Sequence, residues 1–168
     1  MTPADMKGMK IRTPLNPAIT EVFKAWGAAP TPVKGSELYQ SLQSGLVNGQ
    51  ENGIDAVVQA GLTEVQKYFM NTRYIHSGIG MWISGAKWQS LSAEQQGWVT
   101  AAAKAANDEA VAAFDGEVAA MFAQAKAKGM EIVEPDIAAF RAAARPIVEA
   151  WDGKRWPKGM YDKIHAMK

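Results

Sequence analysis

Two rhythms of apolar residues alternate along this chain, a two-residue alternation and a three-to-four-residue stripe. Met9-Lys10-Ile11-Arg12 alternates and predicts a strand that Thr13-Pro14 stops. Asn16-Pro17 then opens a short helix, because proline at an early helical position gives up an N–H that would be unpaired anyway. Ile19, Val22, Phe23 and Trp26 form its apolar face, and Gly27 ends it. Pro30 to Val33 is extended, and Ser36 is placed to cap a helix through Leu38, Tyr39, Leu42 and Leu46 that Asn48-Gly49 closes. Strands alternating with helices predict an α/β sheet rather than a bundle.

Past the Gly-Gln-Glu-Asn run at residues 49–52, Ile54, Val57 and Val58 mark another helix. Tyr74 to Ser84 alternates again, rich in Ile, Met, Trp and Gly, and reads as a strand. At Ser92 the period changes. Ser92 and Gln95 make a capping box, and an alanine-rich helix follows to Lys128, with Gly129 as its stop. At ~1.5 Å per residue it is roughly 50 Å long, more than a compact domain of this size spans. Phe114, Val118, Met121, Phe122 and Ala125 form one stripe on it, and Gly97 and Gly116 are candidate bends. Met130 to Val133 predicts a last strand, and Asp136 caps a helix to about Asp152 that Pro146 should kink.

Composition narrows the function. The chain has 168 residues, 48% hydrophobic and 21% charged, which suits one ordinary domain. Its net charge of +1 comes from signs mixed along the sequence, so the clustered Lys and Arg that neutralise nucleic-acid phosphates are missing. No apolar run reaches the ~20 residues that cross a bilayer, which argues against direct membrane insertion. Without cysteine there are no disulfides or thiolate metal sites, and His76 and His165 lack the spacing of a metal pair. Neither a metal nor a cofactor is expected. Met1 to Asp5 has neither the basic nor the apolar part of a secretory signal.

Three segments carry a family resemblance: GMKIRTP at residues 8–14, GAAPTPVKGSELYQSLQSGLVNGQEN at 27–52, and EVQKYF at 64–69. The second, long and ending in Gly-Gln-Glu-Asn, is the specific one. Together they resemble the solute-binding proteins of tripartite ATP-independent periplasmic (TRAP) transporters, of the dicarboxylate-binding type, over essentially the whole chain. The resemblance implies an α/β fold, the second lobe of a type II periplasmic-binding-protein-like architecture with a long helix spanning both lobes. Residues 1–77 and 118–168 would belong mainly to the second lobe, and 78–117 would supply a strand and helix to a first lobe that is largely missing. The chain would then be the carboxy-terminal half of a periplasmic protein that captures an organic acid for membrane permease subunits, with no catalytic role. An uncovered lobe interface would favour self-association.

The resemblance also nominates a ligand site. Arg12 matches the family's carboxylate-binding arginine, whose planar fork suits two parallel charge-assisted bonds. Asn52 matches an asparagine that contacts the same carboxylate, while Gln50 and Glu51 would brace the turn. At Gly35 the family commonly has an aromatic ring packed on the ligand, so this pocket is wider or is filled by a ring from elsewhere, such as Trp82. Ser77 and Met81, alternating with Ile79, could face the cleft. The residues alone leave two rivals: a stand-alone helical interaction module, suggested by the alanine-rich helix, and a small hydrolase or isomerase with Glu51 or Asp55 as base. The second lacks a nucleophile–base pair or a phosphate loop.

Overall fold

The computed structural model describes residues 1–75, 78 and 80–167. Strand β1 (Lys10–Thr13) is central to a parallel sheet, with β2 (Ala29–Pro32) on one side and the two-residue β3 (Gly49–Gln50) on the other. In register, Arg12 faces Thr31 on β2 and Gln50 on β3. A second parallel pair joins β4 (Tyr68–Met70) to β5 (Glu131–Val133). Parallel strands need crossovers, and α1 (Pro17–Ala25) supplies the one from β1 to β2. The Asn16 side chain accepts from the backbone N–H groups of Ala18 and Ile19, which fixes where α1 starts. It ends at Gly27, whose φ of 85° lies in the left-handed region that glycine adopts without strain.

Two apolar clusters hold these sheets. One gathers Met6, Ile11, Phe23, Trp26 and Ala28 with Phe140 and Ala144 of α6 (Ile137–Trp151). The other packs Leu38 and Leu42 of α2 (Leu38–Gln43), Val47, Ile54 and Val57 of α3 (Ile54–Gln59), Leu62, Ala125 and Met130. Asp136 caps α6 by accepting from the Ala139 N–H, and α6 continues through Pro146. At the end of α6 and just beyond it, Trp151 Nε1 and Arg155 both donate to Glu21 of α1, at 2.6 and 2.8 Å, so the segment leading to α7 (Met160–Ala166) is tied down on α1.

Three sequence expectations need correction. Ser36 caps nothing: Gly35–Glu37 forms a 3-10 turn that feeds directly into α2, and α2 stops at Gln43. Asn48 does not close that helix but opens β3, exchanging hydrogen bonds with the Lys10 backbone through its own N–H and its side-chain oxygen. The third concerns Tyr74 to Ser84. Its described residues pair with no other strand, and a strand is defined by its ladder to a neighbour, so the alternation yields no strand among them.

The capping box at Ser92 and Gln95 does start α5 (Ala93–Ala127), which follows the short α4 (Gly85–Gln89). Its 35 residues span about 52 Å at 1.5 Å each. Gly97 and Gly116 lie inside it without ending it. Only its last turns reach the core, where Ala125 is fully buried and Val118, Met121 and Phe122 pack beside it. Trp98, Val99, Val111 and Phe114 stay exposed, as do Met81, Trp82 and Ile83 ahead of it. The chain exposes 11390 Å². A compact monomer of 18.2 kDa exposes about 8,100 Å² by the usual scaling. The excess is the size of a large obligate interface.

Candidate functional site

Ligands of open α/β sheets bind beyond the carboxyl ends of the strands, where the following loops converge. Here those ends bring together Arg12 from β1, Val33 to Gly35 after β2, Gln50 to Asn52 at and after β3, and Tyr74 after β4. Arg12 is the notable residue, only 7% exposed although charged. Its Nε donates to the Val33 carbonyl at 2.8 Å, which fixes the plane of the guanidinium. Among the described residues its two terminal nitrogens have no hydrogen-bond partner, and all five ion pairs lie elsewhere. A buried cation with no carboxylate in direct contact is costly.

Gly35 stands against this group. A Cβ placed there would lie 3.9 Å from Arg12 Nη2. Any side chain at this position would therefore start in van der Waals contact with the guanidinium. Asn52 is exposed, and its Nδ2 donates to Gln50 Oε1, while Gln50 Nε2 donates to Gln66 Oε1 at 3.1 Å. That chain of amides links the end of β3 to the approach to β4 and sets the orientation of Asn52.

Sequence reasoning passed over Tyr74, and it gave Glu51 a bracing part or, in the enzyme rival, that of a base. The Tyr74 hydroxyl donates to Glu51 Oε2. Its ring is clamped edge-on against Phe23 and Trp26, with centroids at 5.6 and 5.4 Å. Burial raises the Glu51 pKa above the ordinary carboxylate value, opposed in part by the Tyr74 hydrogen bond and the Arg12 charge. For Tyr74, burial and then the bond to Glu51 push the phenol far above its usual value, so it remains a donor. The only signal in the sequence was a tyrosine at the start of an alternating stretch.

Two cavities meet at this point. The first, about 620 Å³, lies between the two sheets and is lined by Ile11, Gly49, Phe69 and Met130 among others. The second, about 820 Å³, opens between α3, the loop after β4 and the Phe114 to Phe122 face of α5. Glu51, Asn52 and Tyr74 line both, whereas neither Arg12 nor Gly35 lines either cavity. Met81 is 64% exposed and Trp82 94%, and neither lines a cavity. Ser77 lies outside the described residues. Among the described residues no three His, Cys, Asp or Glu side chains are grouped to hold a metal ion, and no helix is long and apolar enough to cross a membrane.

Comparison with known proteins supports the solute-binding reading over the helical module. The chain is 39% identical over 149 residues to a solute-binding protein of Roseobacter denitrificans, covering 89% of this chain and 46% of that protein. A crystal structure from the same organism, with bound L-galactonate, superposes with a TM-score of 0.81 over 89% of this chain and 50% of that one. The sialic acid-binding periplasmic protein of Vibrio cholerae is 31% identical over 88% of this chain and 46% of its own length. A TRAP periplasmic solute-binding protein of Desulfovibrio salexigens, in complex with diglycerolphosphate, is 30% identical with a TM-score of 0.86, over 97% of this chain and 52% of that one. The chain thus spans about half the length of the relatives it matches, and it has the type II binding-protein fold of the corresponding part of them. The family described as bacterial extracellular solute-binding protein, family 7, matches residues 1–154, and this chain belongs to it.

Proposed function

We propose that the chain forms the second-lobe half of a periplasmic TRAP solute-binding protein that captures a carboxylate-bearing organic solute and delivers it to membrane permease subunits. The observation that carries this reading is Arg12, buried at the carboxyl end of β1 with its fork unpaired among the described residues. The ligand carboxylate lies on that fork, with Asn52 as a second donor. Residues 1–77 and 118–168 make up most of the second lobe, and 78–117, whose apolar side chains are largely exposed, reach into the first. Lobe closure over the ligand gives the permease a distinct state to recognise, and no bond in the solute is made or broken.

Two measurements follow. Calorimetry of the 168-residue chain against a panel of organic acids is expected to give millimolar dissociation constants at best, about −4 kcal/mol, because the first-lobe face of the ligand stays in water. A protein in which a first lobe has been restored should bind at least one of those acids at micromolar concentration or tighter. Submicromolar binding by the chain alone would show that no first lobe is needed. The exposed apolar side chains from Met81 to Phe114 should also make the isolated chain self-associate, so sedimentation at high micromolar concentration is expected to show species larger than a monomer. A clean monomer that binds no apolar dye would contradict the uncovered-interface reading.

A further inference from the structure

We infer that the cavity between the two sheets is a strand acceptor: an extended, apolar segment from the other half of the two-lobed protein lies between β3 and β4 and joins the two sheets into one. The inference rests on the proposed two-lobed architecture, and on neither Arg12 nor any ligand. Among the described residues β3 pairs only with β1 and β4 only with β5, so each keeps one free backbone edge. On β4 the hydrogen bonds fix which groups lie on that edge. The Lys67 carbonyl accepts from the Glu131 N–H, and the Asn71 N–H donates to the Val133 carbonyl. Backbone groups alternate sides along a paired strand, so Tyr68 and Met70 turn theirs away from β5. The Met70 carbonyl accepts from the Thr72 N–H at 2.9 Å, which leaves the Tyr68 N–H and carbonyl and the Met70 N–H without partners among the described residues. Tyr68 and Met70, with Gly49 and Gln50 of β3, all line the same cavity of about 620 Å³.

A free strand edge is a template for another strand, and backbone groups enclosed without partners are costly. The walls of the cavity specify the occupant. Met6, Ile11 and Phe23 come from one apolar cluster, and Val57, Val65 and Met130 from the other or its margin. A strand entering between them is covered on both faces, and strands so placed read as near-continuous apolar runs instead of alternating ones. Main-chain bonds to a sheet edge would supply its affinity, and the apolar walls its selectivity. A small apolar molecule would fill the volume but leave the Tyr68 and Met70 N–H groups unpaired. A second copy of this chain has no unpaired strand to offer, since all five among the described residues already belong to the two sheets. The chain spans about half the length of the relatives it matches, so the half it does not match is the source of the segment.

The test is amide hydrogen exchange, resolved by residue, on the 168-residue chain and on the protein with both lobes. In the chain alone the Tyr68 and Met70 amides are expected to exchange about 100-fold faster than the Phe69 amide, which faces β5. With both lobes present, the three rates should fall within about tenfold of one another. Comparing amides inside one molecule cancels any difference in overall stability. Lys67 is exposed and lines the cavity, and the chain has no cysteine, so Lys67→Cys carrying a benzophenone label should crosslink to an apolar segment of the other half. Tyr68 and Met70 amides as slow as Phe69 in the chain alone, or crosslinks confined to a second copy of this chain, would overturn the inference. If those amides stay fast in a two-lobed protein that binds an organic acid, the strand acceptor is wrong and the solute-binding reading stands. Slow amides in a two-lobed protein that binds no acid would keep the acceptor and remove the solute-binding reading.

Discussion

Arg12→Ala in the two-lobed protein is expected to weaken binding of its acid by roughly two to four orders of magnitude. The guanidinium is already buried and oriented by Val33 before any ligand arrives, so little ordering is lost when the carboxylate docks. Removing one partner from such an enclosed pair leaves the other buried and unpaired, at a cost of about 3–5 kcal/mol. Arg12→Lys should recover only part of this, because an ammonium keeps the charge and loses the planar fork. The unliganded melting temperature should hardly move. Alanine gives up the 2.8 Å bond to Val33, about 1 kcal/mol, but it also removes a charge that is costly to keep in the interior. Calorimetry and thermal melts on the same variants check both halves. If Arg12→Ala binds normally and melts earlier, the residue belongs to the framework.

Trp26→Ala is expected to have the largest effect on stability. Trp26 is 3% exposed, meets Phe23, Tyr74 and Phe140 edge-on, and donates from Nε1 to the Phe140 carbonyl at 2.9 Å. Truncating a buried aromatic of this kind costs about 3–5 kcal/mol and here also strands the Phe140 carbonyl. Against a total stability of about 5–15 kcal/mol this is a large share, and the melting temperature should fall by roughly 10 °C. Trp82→Ala, at a position 94% exposed, provides the control and should leave the isolated chain's melting temperature in place. An equal fall in both variants would mean that Trp82 packs in a way this structure does not show.

Elements whose cause is local were legible in the sequence. The Asn16 cap, the Ser92 and Gln95 capping box and the Asp136 cap all form as their residue types require, since each satisfies helix-end N–H groups within three residues. Ile11 and Phe23 reach the core because the apolar period places them there. Arg12 and Asn52 stood out only through the family motif, since a strand-end arginine has no local mark that separates a ligand group from a solvated one.

Other features depended on partners distant in the chain. Alternation from Tyr74 to Ser84 promised a strand, yet a strand exists only against a neighbouring edge, and the described residues there have none. Asn48 looked like a helix stop until the Lys10 backbone, 38 residues earlier, claimed its side chain. The pairing of Tyr74 with Glu51 crosses 23 residues and two sheets. The sequence by itself determined the starts of α1, α5 and α6 and their apolar faces, because those follow from the local period and from short-range capping. Tertiary structure alone decided that Arg12 is buried, that Gly35 stands against it and that, among the described residues, the Arg12 fork and one Glu51 oxygen have no partner, because burial and hydrogen-bond satisfaction depend on which distant strands end side by side.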